Sequence, residues 1–128
     1  MKNQFKKHFS LEEAGKLLPS LAKIFEEINT IQGELNARGA EVAEVQDSAK
    51  TNGGGSKADY HFAQNLKIQR LLGRVEKMGV LVKDLDRGLV DFPHLRGGRE
   101  VFLCWMVGEK KIDFWHDLGA GFAGREPL

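Results

Sequence analysis

Val101-Phe102-Leu103-Cys104-Trp105-Met106-Val107, then Gly108-Glu109-Lys110-Lys111, then Ile112-Asp113-Phe114-Trp115-His116: the reading of this stretch decides the fold class. The first segment is a nearly continuous apolar run, rich in aromatic and β-branched residues and too short for a packed helix. It reads as a strand covered on both faces. The four-residue polar break predicts a hairpin that pairs Trp105 with Phe114 and Leu103 with His116. In that register His116 lies among apolar neighbours, and Cys104 sits beside Trp115 on the other face, flanked by Asp113 and Asp117. Upstream, Val80-Leu81-Val82 and Leu89-Val90-Asp91-Phe92 are further short strands, the second ending at Pro93. A small antiparallel sheet thus occupies the chain after Gly79. Its central strand needs helices on one face and a tail or partner on the other.

On the N-terminal side the texture is helical. Ser10 and Glu13 form a capping box, so a helix starts near Leu11. Ala14, Leu17, Leu21, Ile24, Ile28, Ile31 and Leu35 recur at spacings of three and four, the seam of a helix packed on another helix, and the register continues through Arg38 to Val42, Val45 and Ala49. Leu11, Leu18 and Phe25 widen this seam near its start, where a sheet face would serve as the broader partner. Pro19 interrupts the pattern and removes an amide, a defect worth about 3 kcal/mol in a helix interior, so a kink is expected there. Gly33 and Gly39 weaken the later part.

Thr51-Asn52-Gly53-Gly54-Gly55-Ser56 reads as a turn, and Ser56 with Asp59 as a second cap. Tyr60, His61, Gln64, Ile68, Leu71, Leu72, Val75 and Met78 share one face of a second helix, which Gly79 ends in a left-handed conformation. Folded antiparallel, the two helices bring Val45 near His61, Arg38 near Ile68 and Ile31 near Val75, leaving residues 11–27 to overhang onto the sheet. The expected class is α+β: a long antiparallel helical hairpin, coiled-coil-like, packed on a small C-terminal antiparallel β-sheet. One domain covers 1–128, with the hairpin at 10–78 and the sheet unit with a glycine-rich tail at 79–128.

Composition narrows the function classes. The 128 residues are 41% hydrophobic and 29% charged, enough apolar side chain for one core. Nineteen Lys plus Arg against eighteen Asp plus Glu leave a formal charge of +1, so no global field draws the chain to nucleic acid or anionic lipid. A nucleic-acid interface through Lys67, Arg70, Arg74, Lys77, Arg96 and Arg99 is the weakest of the partner readings, given the balanced charge and the aromatic residues placed in core strands. Cys104 is the single cysteine, which excludes an intrachain disulfide and a cysteine-only zinc site and fits a reducing compartment. With no apolar leader and no run of eighteen apolar residues, the expected location is cytoplasmic, away from membranes.

The segment Lys83-Asp84-Leu85-Asp86-Arg87-Gly88-Leu89-Val90-Asp91 packs three carboxylates and an arginine into a short loop. Its plain reading is a turn, with Asp capping amides and Gly88 supplying a positive φ. The sharper reading takes Asp84, Asp86, Arg87, Asp91, His116 and Arg125 as a ligand or acid-base site joined by Arg96 and Arg99, and Asp84, Asp86 and His116 as metal ligands. For His116 alone the plain reading is a hydrogen-bonded core histidine, and for Cys104 it is packing. Gly119-Ala120-Gly121-Phe122-Ala123-Gly124 matches the dinucleotide fingerprint letter for letter. It is read as a decoy, because Gly119, Gly121 and Gly124 are followed by only four more residues where the pyrophosphate site needs a helix. The alternative is a tail pressed on the sheet with Phe122 as anchor. No cofactor is implied.

Taken together, Val82-Lys83-Asp84-Leu85-Asp86-Arg87-Gly88-Leu89-Val90-Asp91-Phe92-Pro93, Cys104-Trp105, Trp115-His116, and Gly121-Phe122-Ala123-Gly124-Arg125 with Pro127 resemble the bacterial domain-of-unknown-function family numbered 2203. The resemblance runs from Phe9-Ser10-Leu11-Glu12-Glu13-Ala14 to the C-terminus and implies a small soluble prokaryotic protein, with no catalytic residues to carry over.

Two functional expectations follow. In the first, the chain is a non-catalytic interaction or ligand-binding module: a homodimer through Phe62 and Leu66, which lie opposite the main apolar face of the second helix, with the charged loop docking a protein or small anionic ligand. In the second, the chain is an enzyme or metal protein in which Asp84, Asp86 or Asp91 works with His116, Arg87 and Arg125.

Overall fold

Why the chain after Gly79 forms a sheet and the chain before it forms helices is visible in a computed structural model, which describes the backbone of residues 3–46 and 55–128 and the side chains of residues 3–37 and 58–128. Helix α1 spans Leu11–Gln46 and α2 spans Gly55–Lys77. Strands β1 (Leu81–Asp84), β2 (Leu89–Arg96), β3 (Arg99–Met106), β4 (Phe114–Asp117) and β5 (Glu126–Pro127) form one antiparallel sheet in sequential order, with a short 3₁₀ turn at Phe122–Gly124 before the last strand. The glycine-rich segment 51–54, the Ser56 cap, Gly39 and the seam positions Arg38, Val42, Val45 and Ala49 lie outside the described backbone or side chains.

The capping box forms as the sequence predicts. The Ser10 hydroxyl accepts from the Glu13 amide at 3.0 Å, and the Ser10 amide donates to the Glu13 carboxylate at 2.8 Å. These bonds hold the Glu13 carboxyl below the ordinary carboxylate range. α1 continues through Pro19 as one helix, with Pro19 on its exposed side. Gly79 ends the second helical segment at φ 88°, where a side chain would be strained.

Ala14, Leu18, Leu21, Ile24, Phe25 and Ile28 of α1 join Ile68, Leu71 and Val75 of α2 and Val90, Phe92, Val101, Leu103, Trp105 and Trp115 of the sheet in one buried cluster. The overhanging start of α1 therefore covers the sheet, as its widened apolar face requires. Leu11 does not take part; it stays exposed. Leu21, Ile24, Phe25 and Ile28 are at most 2% exposed, and each such side chain removed from water contributes about 1.5–3 kcal/mol. Ile31 packs at the cluster's margin, in the same core as Val75.

The sheet departs from expectation in three places. Strand β2 does not stop at Pro93 but passes through it to Arg96. Pairing with β1 ends at Leu81 opposite Asp91, so at Pro93 that edge of β2 is free of β1, and the carbonyl of Pro93 accepts the amide of Phe9 at 2.7 Å. A proline fits there because no ladder bond needs its missing N–H. The β3–β4 register is also shifted by one residue: Phe102 pairs with His116, Leu103 with Trp115 and Cys104 with Phe114. The tail adds strand β5 beside β4, pairing Phe114 with Pro127 and Trp115 with Glu126, while Phe122 is 39% exposed and does not serve as a buried anchor.

Candidate functional site

A one-residue shift of register moves every side chain of a strand to the other face. With the observed pairing, Val90, Phe92, Leu103, Trp105 and Trp115 face the helices, while Asp91, Cys104, Phe102 and His116 share the opposite face. Asp91 lies directly across from Cys104, and His116 is one strand further on. His116 Nε2 is 3.0 Å from Asp91 Oδ1, and both side chains are 2% exposed. His116 Nδ1 is 2.7 Å from the backbone carbonyl of Asp117. One ligand-capable atom each of Asp91, Cys104 and His116 falls within 4.8 Å of the others, and all three residues are buried.

The flanks of this face are closed by polar and aromatic contacts. The Phe102 ring lies 5.5 Å from His116 and 5.4 Å from Phe5, and Lys83 Nζ sits 4.8 Å over it. Lys83 reaches that position from a β-bulge between Val82 and Asp84, a device that re-aims one side chain. The Arg125 guanidinium donates to the Cys104 carbonyl at 3.2 Å and to Glu109 Oε1 at 2.7 Å, and it lies 4.2 Å from the Phe114 ring centroid. Burial alone would push the Arg125 pKa down, but the bond from Glu109 and the neighbouring Cys104 outweigh it and hold it above its ordinary value. Glu109 is itself folded back onto the end of β3, its carboxylate accepting the Met106 amide and its carbonyl the Trp105 indole N–H.

Burial pushes the Cys104 thiol up to about 12, the Asp91 charge adds to that, and Arg125 opposes it. At neutral pH the thiol is protonated. A nucleophilic thiolate needs the opposite environment.

The residues singled out from the sequence thus fall into separate places. Asp91 and His116 come together, and Arg125 lies beside them through Cys104. Asp84 and Arg87 pair instead with each other in the turn between β1 and β2, where the Asp84 carboxylate accepts the Arg87 amide at 3.2 Å, and Asp86 points to solvent. Among the described residues, the grouping able to hold a metal contains neither Asp84 nor Asp86. Arg96 and Arg99 do not converge on His116; they lie 4.6 and 5.8 Å over the ring of Trp115, which belongs to the helix-covered face. Arg87 and Arg125 do meet at Phe122, 5.8 and 4.8 Å from its ring. Gly119 to Gly124 leads into a 3₁₀ turn and an edge strand of an antiparallel sheet, not into a helix.

Sequence reasoning missed Cys104 as the neighbour of Asp91 and Glu109 as the partner of Arg125. It also missed Glu100, whose carboxylate accepts the amides of Gln4 and Phe5 at 2.7 and 2.9 Å and contacts His8 Nε2 at 2.8 Å. A groove between α2 and β1, lined by Leu72, Glu76, Val80, Leu81, Val82, Lys83 and Leu85, lies apart from this cluster.

The arrangement defines an α+β protein whose sheet is packed by helices on one face and carries a closed polar cluster on the other. The chain belongs to the family described as Uncharacterized conserved protein (DUF2203), whose model matches residues 7–128. No curated protein matches the chain, and no solved structure does. Among the described residues, no helix is long and apolar enough to cross a membrane.

Proposed function

We propose that the protein is a non-catalytic interaction module that works as a cytoplasmic homodimer, joined through the outer face of α2. The observation that carries this reading is Phe62, 66% exposed, with Leu66 one turn later at 40%. At 100° per residue these two share a stripe with Gln69 and Gly73, opposite the buried Ile68, Leu71 and Val75. A side chain at Gly73 would meet nothing within 4 Å, so the end of the stripe is open to close approach by another helix. A two-fold pairing of α2 with its copy covers the stripe in both chains at once and extends the hairpin into a coiled-coil-like bundle.

The non-catalytic half of the reading rests on closure. Asp91, Cys104 and His116 are the groups best suited to chemistry, and all three are buried. The turn at Asp84, Asp86 and Arg87 is accessible, and with two carboxylates to one arginine already paired with Asp84 it suits a basic protein segment better than an anion. Size-exclusion chromatography with light scattering tests the assembly: the wild-type chain is expected at twice its monomer mass, Phe62→Glu at the monomer mass, and Asp86→Asn unchanged from wild type. A wild-type monomer indifferent to Phe62→Glu contradicts the reading.

A further inference from the structure

We propose that Asp91, Cys104 and His116 form a binding site for one divalent transition-metal ion of the zinc class. The site goes beyond the interaction reading and does not depend on it.

The ligand set comes first. Imidazole, thiolate and carboxylate together suit zinc and its neighbours, whereas magnesium and calcium take oxygen alone. The three atoms lie within 4.8 Å of one another on three adjacent strands, so one ion is within common reach of all of them. The backbone that positions them is a paired sheet, not a loop, and the cluster is assembled before any ion arrives.

The hydrogen bonding of His116 is the second, independent observation. The Asp117 carbonyl can only accept, so it holds the imidazole proton on Nδ1 and turns Nε2 toward Asp91. Nε2 and Asp91 Oδ1 then face each other at 3.0 Å as two acceptors, an arrangement that requires a positive species between them. Either a second proton or a metal ion meets that need. Metal-ligating histidines characteristically donate their other N–H to a carbonyl or carboxylate, which is the bond that His116 makes.

Charge also balances. A carboxylate and a thiolate neutralise a divalent cation, while Arg125 is already matched by Glu109 at 2.7 Å. On binding, the ion forms bonds to Asp91 Oδ1, Cys104 Sγ and His116 Nε2. It displaces the thiol proton of Cys104 and the proton held between His116 and Asp91, both of which pass to buffer. Nothing is oxidised or reduced.

Because the cluster is sealed in the folded chain, loading is tested by refolding the full-length protein from denaturant with cobalt(II) as the probe, followed by gel filtration. The expected result is one cobalt per chain with a thiolate-to-cobalt charge-transfer band in the near ultraviolet, bleached by added zinc, and acidification of a weakly buffered solution during loading. Cys104→Ser, which keeps the side chain's size, should lose the band, and His116→Gln should lose retained cobalt. A chain that refolds to the native circular dichroism spectrum without retaining cobalt overturns the proposal, as does a band that persists in Cys104→Ser. If His116→Gln does not fold, Cys104→Ser alone decides the matter.

Discussion

Val90, Phe92, Leu103 and Trp105 face α1, while Asp91 and Cys104, one residue away along the same strands, face the opposite side with His116. Both faces are buried, yet they are closed by different means. The first is filled by helix side chains, and its stability is that of apolar area removed from water. The second is closed by the chain's ends: Phe5 on Phe102, Gln4, Phe5 and His8 on Glu100, and Arg125 on Glu109 and the Cys104 carbonyl. The N-terminal segment even passes from one face to the other around the free edge of β2, since Phe5 touches Phe102 while Phe9 packs edge-on against Phe92 at 5.5 Å. Burial by itself therefore does not say what a face is for; the chemistry of the closure does.

The comparison is broken most sharply by deleting one side chain from each face. Phe92→Ala leaves a cavity and should cost about 3–5 kcal/mol in a denaturant titration. Asp91→Ala strands His116 and should cost a similar 3–5 kcal/mol, although far less apolar area is lost. The faces part company in the double variant Asp91→Leu with His116→Leu, which should recover most of the single-variant loss because neither side chain of the pair is left buried without the other. No recovery would show that the pair does more for the fold than satisfy itself.

Gly88→Ala comes next. At φ 64° a side chain is strained, and a Cβ there would clash with the Val107 side chain, so a loss of about 1–3 kcal/mol is expected from thermal or urea unfolding. Ser10→Ala, which removes the cap of α1, should cost about 1 kcal/mol by the same measurement.

The smallest effect is the pH response of the polar face. Burial pushes the Glu100 carboxyl up, but the amides of Gln4 and Phe5 together with His8 outweigh it and hold it below the ordinary carboxylate range. The folded value is the lower one, so the stabilisation is fully present at neutral pH and fades as pH falls through that value. The protection factors of the Gln4 and Phe5 amides, which divide out the intrinsic slowing of exchange in acid, should fall as pH is lowered, and Glu100→Gln should show low protection already at neutral pH. Equal exchange in both proteins at neutral pH would remove Glu100 as the clasp.

The helices, and the overlap of the start of α1 onto the sheet, were legible because their patterns have phase. The capping box at Ser10, the seam from Ala14 to Leu35 and the stop at Gly79 each follow from local chemistry, and each appears where expected. The polar face was not, for a physical reason. Val101 to Val107 is apolar on both sides, so alternation carries no information about which residue faces which way. Symmetric closure about Gly108 to Lys111 therefore falls one residue from the observed register, in which His116 pairs with Phe102 and not with Leu103. Within that loop Glu109 folds back onto the end of β3, and a single glutamate in a polar loop gives no sign of that role. Asp91 and His116 stand out in the sequence nonetheless, because rare polar residues inside apolar strands are conspicuous even when their facing is not. Asp84, Asp86 and Arg87 are near Asp91 in sequence, but the turn between β1 and β2 holds them apart from the cluster.

The most direct test of a closed polar face is the reactivity of Cys104 toward a thiol-alkylating reagent, followed by mass spectrometry in native buffer near pH 7 and in denaturant. The native chain should stay unlabelled over the time in which the unfolded chain is labelled completely, because the thiol is buried and pushed up to about 12. Labelling of the native chain at the unfolded rate would show that solvent reaches Cys104 and that the face is open to chemistry.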